Sequence, residues 1–93
     1  MKRYDGSMAQ VRVEFYGLAR LRAGLPELAV EGTTVRVVLE AVRAACPNLR
    51  VLTDGRVAPE YLVSVSGIRF TADPDHPMAA GDSLLVLGAD AGG

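Results

Sequence analysis

The chain has 93 residues, 49% of them hydrophobic, with ten Lys and Arg against eleven Asp and Glu. This length sets one domain, and the apolar share is that of a globular domain, not a disordered one. Near-balanced charge without a basic, aromatic-interleaved stripe argues against nucleic acid, and no apolar run approaches the roughly 20 residues of a membrane span.

A single cysteine, Cys46, leaves no internal disulfide framework, and a single histidine, His76, cannot build a His-rich metal site. Both fit a reducing cytoplasm, the expected location. Residues 1–10 read as a disordered leader, because Met1–Ser7 is polar and periodicity begins only after Met8.

Val11, Val13 and Phe15 alternate with Arg12, Glu14 and Tyr16, which predicts a strand with the first three facing inward. Gly17 ends it. Leu18–Gly24 reads either as a short helical turn or as a wide loop, with Arg20 and Arg22 on one cationic face. Pro26 sets an extended backbone before Glu27–Glu31, where Leu28 and Val30 alternate with polar or small residues. The short separation predicts an antiparallel hairpin.

Thr34 is the expected N-cap of a helix carrying Val35, Val38, Leu39, Val42 and Cys46 on one stripe. Arg36, Glu40, Arg43 and Ala44 face away, and Pro47 stops the helix. Asn48–Glu60 is a connector with turn chemistry at Thr53-Asp54-Gly55 and an edge strand expected around residues 50–52. Tyr61–Ser66 reads as a strand, and Ser66-Gly67 as a two-residue turn into Ile68-Arg69-Phe70. Residues 71–77 form a loop with Met78 as an apolar plug beneath it. Gly81-Asp82 turns the chain into a last strand, Ser83–Leu87.

The order is β-β-α-β-β-β, an α+β pattern with one main helix laid across a mixed sheet. The last strand is apolar on both faces, with Leu84 and Val86 on one side and Leu85 and Leu87 on the other. Either it is central and doubly covered, or one pair is exposed as an interface.

No catalytic constellation accompanies this pattern. His76 sits between loop prolines, Cys46 reads as a small buried hydrophobe, and no Gly-rich phosphate cradle occurs. The sequence closes instead on Ala91-Gly92-Gly93. At an average glycine usage of about 7%, a terminal pair arises by chance roughly 0.5% of the time. Glycine suits an acyl end that must enter a narrow site and be attacked at its carbonyl, because it removes the crowding side chain. A frayed end is the plainer reading of the same residues.

Several stretches together resemble the MoaD/ThiS family of small ubiquitin-like sulfur carriers. They are Val11–Gly24, Thr34-Val35 with the Leu39 stripe and Pro47, Val63-Ser64-Val65-Ser66-Gly67, and Gly81-Asp82 with the last strand and Ala91-Gly92-Gly93. Two details depart from the family pattern: Ser66-Gly67 stands where Asn-Gly is frequent, and the tail carries Asp90 and lacks a proline before Ala-Gly-Gly.

The resemblance implies a β-grasp fold, with residues 11–87 as the domain and 88–93 as a flexible tail. It also implies a carrier that is not itself an enzyme and binds no cofactor. An E1-like enzyme using ATP would adenylate Gly93, with Gly92 beside it, and a sulfurtransferase or cysteine desulfurase would supply sulfur. A sulfur-accepting synthase would take it from the thiocarboxylate, and the long connector favours a molybdopterin-type pathway. Leu85, Leu87 and Phe15 or Tyr16 are the candidate docking face, with Arg20 and Arg22 as rim charges, although solvated surface is the plainer reading of the arginines. Two other readings stand beside the carrier: a protein modifier joined through Gly93, and a β-grasp binding module with an incidental tail.

Overall fold

The computed structural model describes residues 10–67 and 69–89. Strand β1 (Gln10–Phe15) follows the predicted alternation, with Val11, Val13 and Phe15 at most 1% exposed. Gln10, expected in the leader, is already paired with Glu31. The open reading of Leu18–Gly24 resolves as helix α1 (Gly17–Ala23), ended by left-handed Gly24, whose N–H donates to the Arg20 carbonyl at 3.0 Å. Arg20 and Arg22 occupy its last turn, where cations complement the helix dipole.

Strand β2 (Glu27–Glu31) pairs antiparallel with β1, as the short connection predicts. Gly32 then brings the chain against helix α2 (Val35–Ala45). A Cβ at Gly32 would lie 2.8 Å from Val38 Cγ2 and 2.9 Å from Val38 N, so the approach excludes any side chain. Thr34 caps α2, its Oγ1 accepting from Val37 N–H at 3.2 Å. The loop before Met78 completes the cap: the carbonyls of His76 and Pro74 accept from the N–H groups of Val35 at 2.9 Å and Arg36 at 2.8 Å. Those donors have no partner inside the helix, which gives the loop a structural task.

The connector contains a small separate ladder, β3 (Leu52–Thr53) with β4 (Arg56–Val57), and not a strand of the main sheet. Asp54 and Gly55, with φ of 52° and 76°, close it as a tight two-residue turn whose positive φ values match the strand twist. Strands β5 (Tyr61–Val65), β6 (Arg69–Phe70) and β7 (Ser83–Gly88) complete the main sheet, in the order β2-β1-β7-β5-β6. The β5–β6 ladder runs through Val65↔Arg69 and Ser64↔Phe70.

The last strand is central. It runs parallel to β1 and antiparallel to β5. Leu84 and Val86 are fully buried against the α2 stripe of Val35, Val38, Leu39 and Val42, with Met78 closing the core below the loop. Leu85 and Leu87, on the opposite face, are half-buried. Centrality and double coverage therefore separate: both edges of β7 are paired, but both helices pack on the Leu84–Val86 side. This is the β-grasp fold, with α1 added at one end of the core.

Candidate functional site

Alternation along each strand and register between strands define what the sheet shows on its uncovered face. Leu87 pairs with Leu62, and Leu85 pairs with Ser64, which in turn pairs with Phe70. Leu62 and Phe70 are 39% and 63% exposed. Together with Leu85 and Leu87 they make a continuous apolar patch across β7, β5 and β6. Ser64, at 5% exposure, lies buried between its neighbours.

On the β1 side of the patch stand polar groups. Glu14 pairs with Leu85 on one side and with Glu27 on the other. Arg12 Nε lies 3.3 Å from Glu14 Oε2, and Tyr16 Oη donates to Glu14 Oε1 at 2.7 Å. This hydrogen bond, then the charge of Glu14, raises the Tyr16 pKa above its ordinary value.

The end of β7 is held from two sides, by β5 and by α1. Gly88, expected as the first tail residue, is the last residue of the strand and pairs with Tyr61. Ala89 N–H donates to the Glu60 carbonyl at 2.8 Å, extending the hold one step past the strand. From α1, Leu18 packs beside Gly88, with its Cβ 3.5 Å from where a Gly88 Cβ would sit, and Arg22 Nη1 donates to Tyr61 Oη at 2.8 Å. The chain is thereby fixed up to Ala89, beside the apolar patch.

Against the sequence reading, the structure brings Leu85, Leu87 and Tyr16 to the uncovered face, with Tyr16 45% exposed. Phe15 is corrected: it is 1% exposed, because its position in the alternation is shared with Val11 and Val13, so it belongs to the core and not to a docking face. Arg20 is exposed on α1, whereas the Arg22 guanidinium is engaged by Tyr61. Gly92 and Gly93 lie outside the described residues. Leu62 and Phe70 escaped the sequence reading. The outward phase of β5 places Leu62 opposite Val63, but its contact with Leu87 depends on a pairing between distant segments. Leu18 and Leu21, 41% and 79% exposed, add apolar surface to α1 near the strand end.

Cys46 is buried and free, and burial pushes its thiol pKa up, away from nucleophilic use. Among the described residues, no group of three His, Cys, Asp or Glu side chains could hold a metal ion, and no helix is long and apolar enough to cross a membrane.

The fold and this face define a ubiquitin-like β-grasp protein. Solved structures agree. SAMP1 from Haloferax volcanii superposes with a TM-score of 0.78 at 26% identity, covering 91% of this chain and 100% of its own. A chain of the BexX/CysO complex from Amycolatopsis orientalis gives 0.72 at 22% identity, covering 89% of this chain and 99% of its own. A putative molybdopterin converting factor subunit 1 from Pyrococcus furiosus gives 0.68 at 22%, covering 86% and 97%. These neighbours are of the kind that the MoaD/ThiS resemblance points to. No protein-family model matches the chain, and no curated protein matches it.

Proposed function

We propose that this chain is a sulfur carrier whose C-terminal glycine carboxylate is activated and loaded by partner enzymes. In this reading an E1-like enzyme joins the Gly93 carboxylate to AMP, with loss of pyrophosphate from ATP. A carboxylate oxygen is a poor leaving group until it is part of an acyl phosphate, and then a sulfur nucleophile can displace AMP. The persulfide of a sulfurtransferase or cysteine desulfurase is the donor in this scheme. Reductive cleavage of the resulting acyl disulfide by a thiol leaves the thiocarboxylate. A sulfur-accepting synthase is the consumer, with a molybdopterin-type synthase favoured by the long connector. The chain itself is then a co-substrate and not an enzyme.

The observation that supports this most is the course of β7. The strand that feeds the glycine pair is the central one, anchored by Leu84 and Val86 and held through Ala89, and it shows Leu85 and Leu87 on the uncovered face. A partner gripping that face receives the end of the chain from a rigid origin. Gly92 and Gly93 would be the reactive end, with Leu85, Leu87, Leu62 and Tyr16 at the docking face and Arg20 at its rim.

A second reading, a protein modifier joined through Gly93 to target lysines, is favoured by the likeness to SAMP1, a small archaeal modifier protein. It uses the same activation and differs in the acceptor. Intact-mass spectrometry after incubation with ATP, a cognate E1-like enzyme and a sulfur donor separates the two. Exchange of one oxygen for sulfur supports the carrier. Higher-mass conjugates that vanish when Gly93 is deleted support the modifier. An unchanged mass with every cognate enzyme present sinks both.

A further inference from the structure

The uncovered face is divided by charge. Its β7–β5–β6 half presents Leu85, Leu87, Leu62 and Phe70 and no charged side chain among the described residues. Its β1–β2 half presents Glu14, Glu27 and Glu31 against Arg12. Glu14 and Glu27 are directly opposite each other in the register, an arrangement that costs stability in an exposed ladder. Glu31 finds a neutral partner, accepting from Gln10 Nε2 at 3.0 Å. The Arg12 guanidinium is already engaged by Glu14. Among the described residues, three carboxylates against one cation leave an excess of two negative charges on this flank. The opposite bias lies at the end where the chain leaves the sheet, with Arg20 and Arg22 on α1.

We propose that this acidic flank docks against a cluster of Lys or Arg on the E1-like adenylating enzyme and sets the orientation in which that enzyme takes the apolar patch. The inference rests on the sulfur-carrier reading above and specifies the partner's surface. Two strand steps separate β2 from β7, so the basic cluster lies about 10 Å to one side of an apolar patch on the partner. An apolar contact alone has no preferred rotation. A charge pair offset to one side supplies one, and it speeds encounter by attracting the partner before contact. A second copy of this chain fits the flank poorly, because edge-to-edge pairing of β2 strands would bring like charges together. The plainer account, that outward glutamates only keep an edge strand from pairing, predicts no effect on the enzyme.

The test is ATP–pyrophosphate exchange by the cognate E1-like enzyme, measured with the wild-type chain, the Glu27→Gln/Glu31→Gln variant and the Glu27→Lys/Glu31→Lys variant. At low salt the lysine variant should raise KM about tenfold or more with kcat unchanged, and the glutamine variant should fall between it and wild type. The difference should shrink at high salt, where exposed charges are screened. Thermal melting of the variants, equal to wild type or higher, shows that the fold is intact. Exchange that proceeds with the same KM for all three chains, or a KM difference indifferent to salt, overturns the docking inference and leaves the carrier reading standing. A change of oligomeric state in place of a change in KM also overturns it. Absence of exchange with wild type sinks the carrier reading itself.

Discussion

Arg22 and Tyr61 are joined by a 2.8 Å hydrogen bond that crosses the root of the last strand. Tyr61 is 3% exposed and pairs with Gly88, while Arg22 comes from α1, so the bond braces a short helix against the place where the chain leaves the sheet. Tyr61→Phe keeps the ring and removes the acceptor, and should cost about 1 kcal/mol in urea unfolding. Tyr61→Ala also empties the ring's site and should cost about 3 kcal/mol or more. Equal costs for the two variants would show that the hydroxyl contributes nothing.

Neighbouring leucines of β7 should behave oppositely. Leu84→Ala opens a cavity in the core and should cost about 3 kcal/mol, seen as a lower urea midpoint. Leu87→Ala, on the half-buried face, should cost under about 1 kcal/mol and instead raise KM for adenylation by the cognate E1-like enzyme. If Leu87→Ala destabilised as strongly as Leu84→Ala, the face would be part of the core and not a docking surface.

Cys46 links stability to alkaline pH. Burial raises its folded-state pKa above the unfolded value, so the folded form prefers the thiol. Its contribution is fully present below the unfolded pKa, about 8.5, and is lost as pH rises through the folded pKa. Unfolding free energy should therefore decline above about pH 9 and decline less in Cys46→Ala, once the constant cost of that substitution is subtracted. Native protein should also react slowly with a disulfide reagent at pH 8 and rapidly in denaturant.

Tyr16 offers a local readout of the β1 network. Its hydroxyl donates to Glu14, which holds the phenol in its neutral form and raises its pKa. This interaction is intact below the ordinary tyrosine pKa and fails as pH rises through the folded one. In a difference-absorbance titration, Glu14→Gln should move one of the three tyrosines to lower pH, and Tyr16→Phe should remove that tyrosine from the curve. A Glu14→Gln titration identical to wild type would show that the bond does not form in solution.

Most of the elements were legible because periodicity is a local property. The β1 alternation, the α2 stripe and the Thr34 cap each need only neighbours a few residues away, and each appears where the sequence places it. Leu18–Gly24 was ambiguous for the same reason: seven residues with one buried side chain, Ala19, carry too little pattern to separate helix from loop. The connector's strand lies at Leu52–Thr53 and not at residues 50–52, because a two-residue ladder is defined by its Asp54-Gly55 turn and not by an apolar repeat. Phe15 is a docking candidate by residue type alone; its place in the β1 alternation assigns it to the core.

Which side of its own strand each residue takes was written in the chain: Leu84 and Val86 on one side, Leu85 and Leu87 on the other, Leu62 opposite Val63. The ordered motifs and the glycine pair carried the family resemblance as well. The company those residues keep was settled only by folding. Leu87 meets Leu62, Ser64 meets Phe70, and Glu14 stands between Leu85 and Glu27 because β7 inserts between β1 and β5. That insertion brings together strands far apart in sequence. Their register follows from burying one shared core beneath α2, a constraint that acts on the whole sheet at once.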